Sequence, residues 1–163
     1  MKKSNVTLAA FTIVMSSFFI AAPTSEASVE DKTTLINKAD YKWQYMIPNL
    51  TEKSPKFTTL HTDPKSGATV VYIEFPEAIY IPKHTHEGSE KHFLLEGSHV
   101  FYQDEKRLNV QEHGFLDMPA DLVHEAWVPA GAKAIIMLEK GFKVNWLEGA
   151  PTAEDLNRFE PSI

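Results

Sequence analysis

The sequence predicts an all-β domain, a sandwich or barrel built from short strands. Three observations carry that expectation. Runs of β-branched and aromatic residues recur between Ala68 and Leu138. Pro, Gly, Asp and Asn punctuate them at short intervals. No segment of the body carries a long apolar stripe at the period of a helix.

At the start, Lys2 and Lys3 precede a mostly apolar run from Val6 to Ala22, broken by Thr7, Thr12, Ser16 and Ser17. Ser25-Glu26-Ala27 then offers small residues where a signal peptidase reads. Residues 1–27 are therefore expected to be a secretory leader cut after Ala27, leaving one domain over residues 28–163. A membrane anchor is the competing reading, but the run is short and hydroxyl-interrupted beside the roughly 20 apolar residues of a spanning helix.

Ser28 to Asn37 reads as a loose arm or a short helix, and Trp43 to Met46 as an edge strand. Ala68 to Phe75 (ATVVYIEF) is the first strong strand, rich in β-branched and aromatic residues. Ala78 to Ile81 follows Pro76, and Pro82 leads into a histidine-rich segment. Glu90 to Leu95 is the next strand, ended by Gly97. Ser98 to Tyr102 and Arg107 to Gln111 flank Gln103-Asp104-Glu105-Lys106, a hairpin turn. Phe115 to Met118, Val123 to Val128 and Lys133 to Leu138 continue the series, with Pro129-Ala130-Gly131 as a turn. Ala153 to Phe159 is the expected C-terminal helix, with Thr152 placed to cap it.

Composition narrows the function classes. The chain has 163 residues, enough for one core, and no cysteine. It therefore has no disulfide, no thiol nucleophile and no lipidation cysteine, and its stability must rest on packing or bound metal. The formal net charge is −6, and removing Lys2, Lys3 and Glu26 takes the remainder to about −7. That sign disfavours nucleic acid and anionic membrane surfaces. No P-loop, Gly-x-Gly-x-x-Gly or Gly-x-Ser-x-Gly motif is present.

The chemistry concentrates in His84-Thr85-His86-Glu87-Gly88-Ser89-Glu90. In a strand, residues two apart point to one face, so His84 and His86 would aim at one point. A His-x-His pair alone fits a solvated strand equally well. Glu90, and His124 beyond a proline-started turn, complete a set of three imidazoles and one carboxylate. That set suits one divalent transition ion (Fe, Mn, Zn, Ni or Cu), and with four protein donors it leaves a position open for water or substrate.

His92 lies two residues beyond Glu90, on the same face by alternation. It reads as a packed core histidine or a partner of a ligand, with general base and substitute ligand as further roles. Tyr80 shares the alternation of Pro82, His84 and His86, which makes it a candidate pocket residue and proton-transfer group beside His92. Phe93, Phe101, Phe115 and Trp127 are core or pocket wall. Asp117 and Glu125 are base, ligand partner or surface. His61 and His99 read as ordinary surface or edge residues, and His113 as a turn residue.

The run His84-x-His86-x-x-x-Glu90-x-x-x-x-x-x-Gly97 resembles the first motif of the cupin superfamily, and His113 to His124 resembles the second, with Pro119 and His124 in matching places. The chain departs from the pattern at Ala78, His113 and Asp121, where the family usually has Gly, and at Val128, where it usually has Asn. The resemblance implies a double-stranded β-helix, a jelly-roll cupin-2-like barrel with its core at about residues 68–146. It also implies that the two histidines, the glutamate and the later histidine hold a metal inside the barrel, and that two copies can pair as a homodimer. The leader and the Met118-Pro119-Ala120 run look like a subgroup of small exported bacterial cupins.

Two functions follow as expectations. One is a periplasmic or secreted metalloenzyme of dioxygenase, isomerase or lyase type, acting on a small organic acid, carbonyl or sugar-derived substrate. The other is a non-catalytic module that binds a small ligand or a metal in the cell envelope. Neither involves nucleic acid, or a membrane anchor once the leader is removed.

Overall fold

The computed structural model describes residues 33–162. The expected leader, and residues 28–32 of the expected arm, lie outside the described residues; residues 33–37 are irregular rather than helical.

Eleven strands are present among the described residues: β1 (Gln44–Tyr45), β2 (Lys56–Thr62), β3 (Thr69–Glu74), β4 (Ile79–Thr85), β5 (Glu90–Glu96), β6 (Ser98–Gln103), β7 (Lys106–Gln111), β8 (Phe115–Met118), β9 (His124–Val128), β10 (Lys133–Leu138) and β11 (Asn145–Trp146). They form two antiparallel sheets, one in the order β1-β2-β3-β10-β5-β8 and one in the order β11-β4-β9-β6-β7. This is the jelly-roll barrel, and each strong strand read from sequence is there to within a few residues.

Two strands had no counterpart in the sequence reading. β2 (KFTTLHT) buries only Thr58 outright, so its sequence carries no clean apolar alternation. β11 is two residues long. The expected C-terminal helix is a single 3-10 turn, Ala153–Asp155, in which Thr152 Oγ1 accepts from Glu154 N at 3.3 Å. It stops there because Leu156 is extended and bridges Ile79, and Asn157 then turns at φ 55°.

The inner faces of the two sheets meet in an apolar core containing Val71, Ile73, Ile79, Leu94, Val128 and Leu138, all nearly inaccessible. Burying a side chain of this size contributes about 1.5–3 kcal/mol, so the core is the main source of stability in a chain without disulfides. Gly97 lets β5 pass into β6: its φ is +74°, and a Cβ there would meet Ala132 Cα at 3.1 Å. At two turns where the cupin pattern has glycine, His113 (φ 62°) and Asp121 (φ 60°) adopt the left-handed conformation instead. Aspartate tolerates it through local hydrogen bonding, and His113 does so in an exposed turn. Among the described residues, no helix is long and apolar enough to cross a membrane.

Candidate metal centre

β4 and β9 pair in register across His84 and His124. Pairing runs normally from Ile79↔Val128 to Ile81↔Ala126, then slips by one before His84↔His124. The extra residue lies at Pro82–Lys83, and a proline, having no N–H, suits such a bulge. The bulge reverses the alternation. Ile81 and His84, three apart, both face inward, and His86 joins them just beyond the end of β4.

This corrects the expectation for Tyr80. Strict alternation carried it to the face of His84, but the bulge leaves it on the other one, and it does not line the cavity. Its hydroxyl donates to Glu125 Oε2 at 2.5 Å, and Arg158 lies 4.2 Å from its ring centroid. Burial and Glu125 both push the Tyr80 phenol well above its ordinary pKa. Trp127 shares this outer face, donating to Arg158 O at 2.9 Å. Phe93 and Phe115 are exposed, Asp117 pairs with Lys91 at the surface, and of these aromatic candidates only Phe101 lines the cavity.

His84, His86 and His124 are buried, and one ring nitrogen from each lies within 4.8 Å of the others. All three are oriented from behind. His84 Nδ1 lies 2.7 Å from Pro82 O, His86 Nδ1 3.0 Å from Lys143 O, and His124 Nδ1 3.0 Å from Leu122 O. A carbonyl only accepts, so each Nδ1 is the protonated nitrogen and each Nε2 keeps its lone pair. Burial first, then the neighbouring His124, lowers the His84 pKa to about 4, and burial lowers that of His86. The His84 and His86 rings are therefore held neutral, the form that binds metal.

Glu90, at the start of β5 in the facing sheet, supplies the carboxylate. Its Oε2 lies 3.4 Å from His86 Nε2 and 3.5 Å from His124 Nε2. Burial alone would raise its pKa, but His92, His124 and His86 hold the carboxyl well below its ordinary value. His92 Nε2 approaches the other oxygen, Oε1, to 3.0 Å, and His92 Nδ1 lies 3.4 Å from His99 Nδ1. His92 thus sits behind Glu90 rather than among the three clustered rings.

His99 was expected at the surface or an edge. It is instead 1% exposed and lines the cavity. The sequence did hold a signal: His99 alternates with Phe101 on β6, and a strand that turns Phe101 inward turns His99 inward too. His61 is exposed, as read.

The residues fit a metal by a test of their own. Among the described residues, the buried side-chain polar atoms without a hydrogen-bond partner are His86 Nε2, Glu90 Oε2, His92 Nε2, His99 Nε2 and His124 Nε2. Each such group costs about 1–3 kcal/mol if nothing satisfies it. Three of them converge with His84 on one point, which a cation satisfies at once. The buried His84–His86–His124 group, with Glu90 beside it, fits a cupin metal site. The cavity in front of it has a volume of about 320 Å³ and is otherwise mainly apolar, with Phe57, Phe101, Phe142 and Trp146 in its wall.

Comparison with known proteins agrees with this fold. The family model described as the ChrR Cupin-like domain matches residues 31–141. No curated protein matches the chain. Among solved structures, a proposed acetylacetone dioxygenase from Methylibium petroleiphilum PM1 aligns with a TM-score of 0.57 at 15% identity, covering 75% of this chain and 87% of its own. An RmlC-like cupin from Shewanella frigidimarina aligns at 0.57 and 15%, covering 69% and 95%. KdgF from a Halomonas species aligns at 0.53 and 14%, covering 66% and 92%. At these identities the likeness is one of fold.

Proposed function

This chain belongs to the ChrR Cupin-like family, and from that premise we propose that it is an exported mononuclear metal-binding cupin acting as a small-molecule metalloenzyme. The reaction classes are dioxygenase, isomerase or lyase, on a small organic acid, carbonyl or sugar-derived substrate. One observation carries the reading: three of the unpartnered buried atoms, on His86, Glu90 and His124, converge with His84 on a point at the wall of an apolar cavity.

His84, His86, Glu90 and His124 would hold the ion. When bound, it supplies Lewis acidity toward a substrate oxygen. The backbone carbonyls of Pro82, Lys143 and Leu122 keep the three rings aimed. Glu90 brings one negative charge into the low-dielectric site, and His92 Nε2 lies 3.0 Å from its second oxygen. The apolar wall excludes water and strengthens every polar interaction inside. A non-catalytic binding module is the second reading, and one observation favours it: apart from the donor set, the acid–base side chains among the described residues that line the cavity are few, His92, His99 and the phenol of Tyr45.

The test is metal analysis by mass spectrometry of untagged protein, followed by anaerobic loading with Fe(II), Mn(II), Ni(II), Zn(II) or Cu(II). Loaded protein is then screened against small diketones, oxalate and uronic acids. We expect about one ion per chain and turnover with at least one metal. Tight ligand binding with zero turnover would support the module, and absence of metal would refute both readings. Export is tested by N-terminal sequencing of protein from the cell envelope or medium. The reading expects Ser28 first, and a chain retaining Met1 would refute it. Light scattering tests the homodimer.

A further inference from the structure

Among the described residues, His99 is the unpartnered buried group in the cavity that the metal reading does not use. His99 Nε2 has no hydrogen-bond partner, and the residue is almost wholly buried. Its neighbours cannot satisfy it. Phe75 packs edge-on at 5.1 Å between centroids, and Phe101 lies at 6.0 Å. A resident water would need two to four polar partners, and these rings offer none.

The ring's other nitrogen is already engaged. His99 Nδ1 faces His92 Nδ1 across 3.4 Å, with the donor set by the tautomer. Nε2 is therefore the nitrogen left for a ligand, and a hydroxyl, which both donates and accepts, pairs with either tautomer. Burial holds the His99 imidazole in its neutral form.

The rest of the wall sets the character of the ligand. Phe57, Ile73, Phe75, Ile136, Phe142 and Trp146 offer almost no hydrogen bonds. A polyhydroxylated ligand would bury several hydroxyls without partners, at about 1–3 kcal/mol each. The cavity, at about 320 Å³, sits at the low end for a small-molecule site.

We propose that the cavity selects a compact, mainly apolar molecule with one oxygen-bearing group for the metal and one hydroxyl that pairs with His99 Nε2. This rests on the metal-cupin reading and narrows it: apolar and aromatic hydroxy acids fit, sugars and uronates do not.

The experiment is isothermal titration calorimetry on Zn(II)-loaded full-length protein, with metal content measured on the same samples. The probes are 3- and 4-hydroxybenzoate, the matching methylbenzoates and glucuronate. The hydroxy probes should bind about tenfold or more tighter than the near-isosteric methyl probes, the worth of one hydrogen bond. Glucuronate should bind weakest. His99→Phe should erase the hydroxyl preference while retaining about one zinc per chain, and His99→Gln, which keeps a polar group, should restore part of it. Equal binding of hydroxy and methyl probes, or glucuronate as the best ligand, would each overturn the proposal while leaving the metal reading intact. Failure to take up zinc would overturn the parent reading instead, and the proposal with it.

Discussion

Acidifying the metal-free protein is expected to unfold it through His84. Burial takes this imidazole from an ordinary 6.5 to about 4 in the folded chain. As pH falls through 6.5, the unfolded chain takes up a proton that the folded chain refuses until about 4. The stabilisation is therefore complete above 6.5 and declines as pH falls through the window. Integrated between about pH 7.5 and about pH 5, the loss from this one ring is about 2 kcal/mol. His86, lowered in the same direction by burial, adds to it. The assay is urea unfolding of chelator-treated protein, followed by tryptophan fluorescence at several pH values, for the wild type and His84→Gln. The wild type should lose about 2 kcal/mol more than the variant over that range. Parallel pH profiles for the two proteins would show that burial is not what keeps His84 neutral.

Three further outcomes can be checked. His86→Ala combined with His124→Ala should abolish metal uptake by mass spectrometry and the rise in Tm on adding Zn(II), because two of three clustered nitrogens are gone; full metal in the double variant would refute the ligand assignment. Gly97→Ala should lower the urea midpoint by the equivalent of about 1–3 kcal/mol, since it combines φ +74° with a 3.1 Å approach to Ala132 Cα; an unchanged midpoint would mean that the β5–β6 corner relaxes freely. Leu94→Ala, at a wholly buried position, should cost about 2–5 kcal/mol in the same assay.

The strands that sequence revealed are those whose apolar content does the packing. Thr69–Glu74 and Lys133–Leu138 lie side by side in the sheet, and both read as β-branched runs. β2 escaped because it is half-exposed along most of its length, so partners rather than composition fix it as a strand. In the site, the spacing of His84, His86 and Glu90 was legible because it is local. Tyr80 was misplaced by one inserted residue. A bulge changes the side-chain period without any change in composition, and Pro82 was its only mark. His99 was passed over because it has no chain neighbour of like chemistry; its companion, His92, reaches it only across the barrel.

Three of the four proposed donors fall within the seven residues from His84 to Glu90, whereas four strands, β5 through β8, intervene before His124. The near three can be gathered by closing one short loop, at small entropic cost. The fourth arrives only when β9 zips onto β4. An ion held by all four would need that pairing in place, so its main kinetic effect should be to slow escape from the native state rather than to hasten arrival.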